Sequence, residues 1–224
     1  MNERSDFLRT PSTVFEPDSR SPTTSFLTNQ PLTIEYQHRA VVEIGLHQNV
    51  PDDIRIQFET TKNLYLYAWF VYRFYPVAEL HAYTCLELAL RERFEAEMLT
   101  LGVIKKKREF GPEFRKLLEY AVTSGCLKDE NFSAWRHRTV SRAKQRTQNE
   151  IWEEAQRQGL SEVTFGDNQY EIRDIDRDHK YLEIIIKTTP WLRNHYAHGT
   201  KSLHGQVLGT LKLVAEIINQ IYPE

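Results

Sequence analysis

The chain has 224 residues, enough for one domain with additions or for two small ones. Hydrophobic residues make up 40% and aromatic residues 12%, which can fill a real core and excludes a wholly disordered chain, while nine glycines and nine prolines are too few for a turn-dense sandwich or barrel. The formal charge of −2 excludes a global basic field of the kind that marks many nucleic-acid binders.

Residues 1–31 are rich in Ser, Thr and Pro with little apolar content, as in PSTVFEPDSRSPTTSFLTNQP, and predict a mobile or extended arm. The first fifteen residues have no apolar segment of the secretory type, so a cytoplasmic location is expected. Residues 32–60 hold short apolar–polar alternations, LTIEYQHRAVVEIGL and DDIRIQF, which predict two strand-like segments split by Asn49-Val50-Pro51. From Lys62 the period changes. NLYLYAWFVYRFY has helical length, and Pro76 then either kinks that helix or opens a new one. Leu80, Tyr83, Leu86, Leu90 and Phe94 fall at spacings of three and four on one stripe, and Gly102 is a stop.

Pro112 precedes a short helix that ends at Gly125. A long polar segment from Phe132 to Gln158, stopped by Gly159, has thin apolar content and predicts a helix that leaves the core for part of its length. SEVTFGDNQYEIRDID reads as a connector or a short hairpin, followed by a helix from Asp178 to Trp191 and a joint over Arg193–Gly205. The last helix places Val207, Leu211, Val214, Ile217, Ile218 and Ile221 on one side. The expected fold is mainly α, a bundle of four or five helices over 61–224 with an N-terminal extended or short-strand extension over 1–60. No window approaches the ~18 apolar residues of a membrane span, so no membrane partner is expected.

Charge is unevenly spread. From Ile104 to Arg146 the net charge is +7, and from Glu150 to Glu183 it is −6. The two runs are either solvated helix faces that partly neutralise each other or a local polyanion-binding surface that the whole-chain sum conceals. On the second view the candidate RNA contacts are Lys105, Lys106, Lys107 and Arg108 in a compact cationic loop, and Arg136, His137, Arg138 and Arg142 on the polar helix. Common phosphate-loop, dinucleotide, zinc-protease and serine-hydrolase signatures are missing, and no metal or cofactor site is expected. Cys85 has aliphatic neighbours on both sides and reads as a buried structural thiol, and Cys85 with Cys126 does not make a disulfide framework. His81 lies among core-type residues and reads as a satisfied bundle histidine.

The informative stretch is Trp191-Leu192-Arg193-Asn194-His195-Tyr196-Ala197-His198-Gly199. Arg193, Asn194 and His198, with Ala197 before the histidine, resemble the Arg-x(4–6)-His motif of the HEPN family of helical-bundle ribonucleases and nucleotide-binding domains. AELHAYTCLELALRERF is similar to an early helix of that family, and the resemblance covers Lys62 to the C-terminus. A bare Arg-to-His spacing also occurs at Arg173 and His179 in a run of charge, so the weight falls on the context of the first pair. The competing view makes Arg193–Gly199 a helix C-terminus, with Gly199 as its cap and the basic side chains on terminal carbonyls.

The resemblance implies a metal-independent endoribonuclease, a toxin or defence effector. Attack of a ribose 2′-hydroxyl on its own phosphate needs a proton acceptor, a proton donor for the departing 5′-oxygen, and cationic donors for the phosphorane. Histidine titrates near neutral pH and arginine forks onto phosphate oxygens. Arg193, Asn194 and His198 are the implied catalytic set, with His195 and Tyr196 secondary. One arginine and one histidine are a thin site, and the resemblance implies a homodimer in which two copies of the motif share a cleft. RNA is the implied substrate, and an antitoxin or other regulatory protein a further partner. The alternative is a non-catalytic HEPN-like module that binds nucleotide, RNA or protein.

Overall fold

The structure, a computed structural model, describes residues 6–21, 32–104, 113–166, 169–201 and 203–224. The chain divides into two compact units, one formed by residues 1–127 and 186–224 and the other by 128–185. It is mainly helical, and the described residues contain no strand.

The first unit is built around α3 (Phe74–Thr100), which packs against α2 (Asp52–Tyr67), α4 (Phe114–Thr123) and α8 (Leu208–Ile221), while α1 (Ile34–Val42) packs on α2. α3 can be central because it is apolar on several sides: Ala78, Ala82, Cys85, Leu86, Ala89, Leu90 and Phe94 are all buried. Pro76 sits in its first turn, where a missing N–H costs no helical hydrogen bond, so the proline opens the helix. Gly102 and Gly125 end α3 and α4 with φ of 70° and 76°, a conformation that favours glycine. α8 buries Leu211, Val214, Ile217, Ile218 and Ile221.

The strands expected over 32–60 are helices α1 and α2, and α2 runs across the expected division near residue 60. The alternation in Ile54-Arg55-Ile56-Gln57-Phe58 is real, but only Ile54 and Phe58 are buried, and Ile56 is 61% exposed. The buried set Ile54, Phe58, Thr61 and Tyr65 has helical spacing. In α1 the buried positions are Gln37 and Val41; the Gln37 amide donates to the Tyr65 carbonyl and accepts from the Tyr75 hydroxyl at 3.0 Å. A buried polar group with full hydrogen bonding hides from a hydrophobic count.

Residues 6–21 do not form an extended arm. They fold onto the joint between α2 and α3 around Asp18, which is fully buried. Its N–H donates to the Trp69 carbonyl at 3.0 Å, and its carboxylate accepts from Arg20 Nε and Nη2, both at 2.8 Å, and from the Tyr72 N–H at 3.3 Å. Burial alone would raise this carboxyl, but the Arg20 side chain and the two backbone amides hold it below its usual range. Arg9 ties the turn to the Phe70 carbonyl, and Asp6 bridges Arg20 and Arg73.

The second unit is led by α5 (Ser133–Arg157), which packs on a 3₁₀ turn at Asp129–Asn131 and on the short α6 (Asp174–Arg177). α5 buries only Thr139, Ala143 and Ala155, as its thin apolar content predicts. The unit leans on ion pairs. Arg146 reaches Asp176 at 2.9 Å and Glu150 at 3.1 Å, and Arg173 reaches Glu150 at 2.7 Å. The Arg146 side chain, followed by the Arg173 N–H, holds the Asp176 carboxyl at about 2. α7 (Tyr181–Ala197) passes from this unit into the first at Ile185–Ile186. No helix among the described residues is long and apolar enough to cross a membrane.

Candidate functional site

The Arg193–His198 stretch, expected in a joint, is the C-terminal end of α7. The helical ladder continues through His198, whose N–H donates to the Asn194 carbonyl at 3.0 Å, and ends at Gly199 with φ of 84°. Gly199 therefore has the capping role that the competing view gave it.

Arg193 points back to α3. Its Nη2 lies 2.9 Å from Glu87 Oε2, and its Nη1 donates to Asn194 Oδ1 at 3.2 Å. Arg91 Nη2 takes the other oxygen, Glu87 Oε1, at 2.6 Å. The Glu87 side chain is only 9% exposed, so its carboxylate needs a counter-charge, and α3 and α7 supply one guanidinium each. Two cations on one anion leave a net positive charge. Two of the five Arg193 N–H donors are committed, and Nε has no acceptor. Asn194 thus steadies the guanidinium.

His198 is exposed and lies on a different side of α7. Five positions along a helix turn through about 140°, so a single chain does not aim Arg193 and His198 along the same direction. Positions 191, 195 and 198 do share a stripe. Trp191 is 62% exposed, and its ring stacks on the His195 imidazole with centroids 5.3 Å apart and planes 10° apart. His195 Nε2 also bonds Thr200 Oγ1 at 3.1 Å.

Tyr196 faces inward. Its hydroxyl bonds His204 Nε2 at 2.8 Å, His204 Nε2 is 3.4 Å from Glu79 Oε2, and Thr210 donates to Glu79 Oε1 at 2.8 Å. Burial, then the neighbouring Glu79, pushes the Tyr196 hydroxyl up. Tyr196 is a packing residue that pins the end of α7 to α3.

Glu79, Glu87 and His204 were not singled out from sequence. The signal for the two glutamates is their place on a helix whose other inward positions are apolar, since a buried carboxylate on such a face must meet a cation or a donor. His204 carries no comparable mark.

The other candidates separate. Arg142 donates to the carbonyls of Ile175 at 3.0 Å and Asp178 at 3.1 Å, capping α6, and Arg136 donates to the Glu130 carbonyl at 2.9 Å. His137 and Arg138 are exposed on α5. Lys105, Lys106, Lys107 and Arg108 lie outside the described residues. In the control pair, Arg173 holds Glu150, while His179 is buried and bonded to Thr139 Oγ1 at 3.0 Å. His81 is bonded to Thr61 Oγ1 at 2.8 Å, and burial lowers its pKa. Burial pushes the Cys85 thiol up to about 12, which suits an inert structural cysteine. Among the described residues no group of three His, Cys, Asp or Glu side chains is arranged to hold a metal ion. No family model, curated protein or solved structure matches the chain.

Proposed function

We propose that the chain is a metal-independent endoribonuclease of HEPN type, acting as a homodimer on RNA as a toxin or defence effector. The observation that carries this is the end of α7: a guanidinium held by Glu87 and Asn194 with donors to spare, and an exposed imidazole one turn on. Because the two side chains diverge on one helix, the proposal requires two α7 ends facing a shared cleft. One His198 takes the 2′-hydroxyl proton as O2′ bonds to phosphorus. The P–O5′ bond breaks, and the leaving oxygen takes a proton from the second His198. The two Arg193 side chains meet the charge on the phosphorane. The products are a 2′,3′-cyclic phosphate and a 5′-hydroxyl.

A second possibility has its own support. Glu87 already occupies Arg193 Nη2, which suits a structural arginine in a non-catalytic module that binds nucleotide, RNA or protein. The deciding experiment incubates purified protein with total RNA and a chelator, beside His198→Ala and Arg193→Ala. Cleavage by the wild type and by neither variant supports the nuclease. RNA retained by a wild type that never cuts it supports the module.

A further inference from the structure

We infer that the Trp191–His195 ring pair is the base-stacking platform of this site, taking an unpaired nucleobase of single-stranded RNA beside the phosphate that His198 reaches; this rests on the ribonuclease proposal. The rings are stacked, with planes 10° and centroids 5.3 Å apart, so each covers part of one face of the other, and because Trp191 is 62% exposed and His195 is exposed, a base can extend the stack on a face turned away from the pair. The Thr200 hydroxyl bonds His195 Nε2, which fixes the imidazole plane before any ligand arrives. His198 is on the same stripe, and the seven positions from Trp191 span about 10 Å along the axis. A base on the platform and a phosphate at the helix end therefore fit one strand.

The surroundings favour a nucleic acid over a protein partner. Trp191 is the one large apolar side chain exposed on the part of α7 that belongs to the first unit, where Lys187, Thr188, Asn194, His195, Ala197 and His198 are also exposed. A helix partner needs contiguous apolar area, whereas a base needs one π face with cations nearby. The chain from Ile184 to Ala215 contains no Asp or Glu but four Lys or Arg and three His, in a molecule that is acidic as a whole. That local balance suits a polyanion. Every base has a π face, so the platform gives affinity with little sequence choice, and a duplex whose bases are already stacked cannot use it.

The test measures binding of a 2′-O-methyl oligoadenylate, which cannot be cut by 2′-hydroxyl attack, to wild type, Trp191→Ala and Trp191→Phe. Loss of one stacked base is worth about 1–3 kcal/mol, so Trp191→Ala weakens binding on the order of tenfold. Trp191→Phe keeps most of the affinity, and binding of a duplex of the same composition is unchanged. For a cleavable strand, KM rises in Trp191→Ala while kcat holds. Equal affinity of wild type and Trp191→Ala for the oligoadenylate overturns the platform, and leaves the nuclease standing if His198→Ala still abolishes cleavage. Dissociation of a wild-type dimer by Trp191→Ala also overturns it, because the face would then be a subunit contact. Weaker binding by Trp191→Ala in a protein that never cleaves RNA supports the platform and removes the nuclease.

Discussion

Replacing Glu87 by Gln tests the anchor of Arg193. The substitution keeps the shape and removes the charge, so Arg91 and Arg193 face each other across a neutral amide. Breaking a fully buried pair costs about 3–5 kcal/mol. Here the Glu87 side chain is 9% exposed but the two arginine side chains are about one-third exposed, at 30% and 34%, so water screens part of the loss. We expect about 2 kcal/mol. At about 2–4 °C per kcal/mol for a chain of this size, the melting midpoint falls by about 4–8 °C. Arg193→Gln costs less, about 1 kcal/mol, because Arg91 remains on Glu87. The double variant recovers part of the sum, with a coupling of about 1 kcal/mol. Thermal melts and urea titrations of the four proteins measure this. A Glu87→Gln midpoint equal to wild type, or strictly additive losses, would refute the ion pair as the anchor.

Acid should weaken the fold in two stages. His81 and His179 have lowered pKa values, mainly from burial, so the unfolded chain binds their protons first. Their contribution is complete above the ordinary imidazole value of about 6.5 and is lost as pH falls below it. Asp18 and Asp176 are also lowered, so theirs is complete above the ordinary aspartate value of about 4 and is lost as pH falls toward the folded values. Urea midpoints against pH should show both limbs, and Asp176→Asn should flatten the lower one. Leu90→Ala, at a position with no exposure, should cost about 2–5 kcal/mol in urea unfolding. A thiol reagent on native protein should label the half-buried Cys126 and spare Cys85 until denaturant is added.

The helical core could be read from the chain because its signals are local. Gly102, Gly125 and Gly159 stop helices where expected, Pro76 opens α3, and the stripe through Leu86, Leu90 and Phe94 is buried. The N-terminal region could not. Gln37 and Thr61 occupy core positions because distant groups satisfy them, and Asp18 is buried only because Arg20 and the α2–α3 joint close over it. Period-two alternation then outweighed a helical spacing that included polar residues. At the site, the residues in Arg193–His198 could be named, but their direction could not. The five-position spacing says nothing of the 140° between them until the stretch is known to be helical, about 100° per residue. The basic run illustrates the same limit: Arg142 and Arg146 spend their charge on α6, on carbonyls and on Asp176.

The proposed chemistry needs two copies of His198 at one scissile phosphate. Dimers assembled from wild-type and His198→Ala chains in varied ratio, assayed on RNA with chelator present, show whether one copy is enough. The proposed chemistry predicts activity that falls with the square of the wild-type fraction, because one missing imidazole leaves the site without its acid or its base. A linear fall, or cleavage that persists when every chain carries alanine at that position, would contradict it.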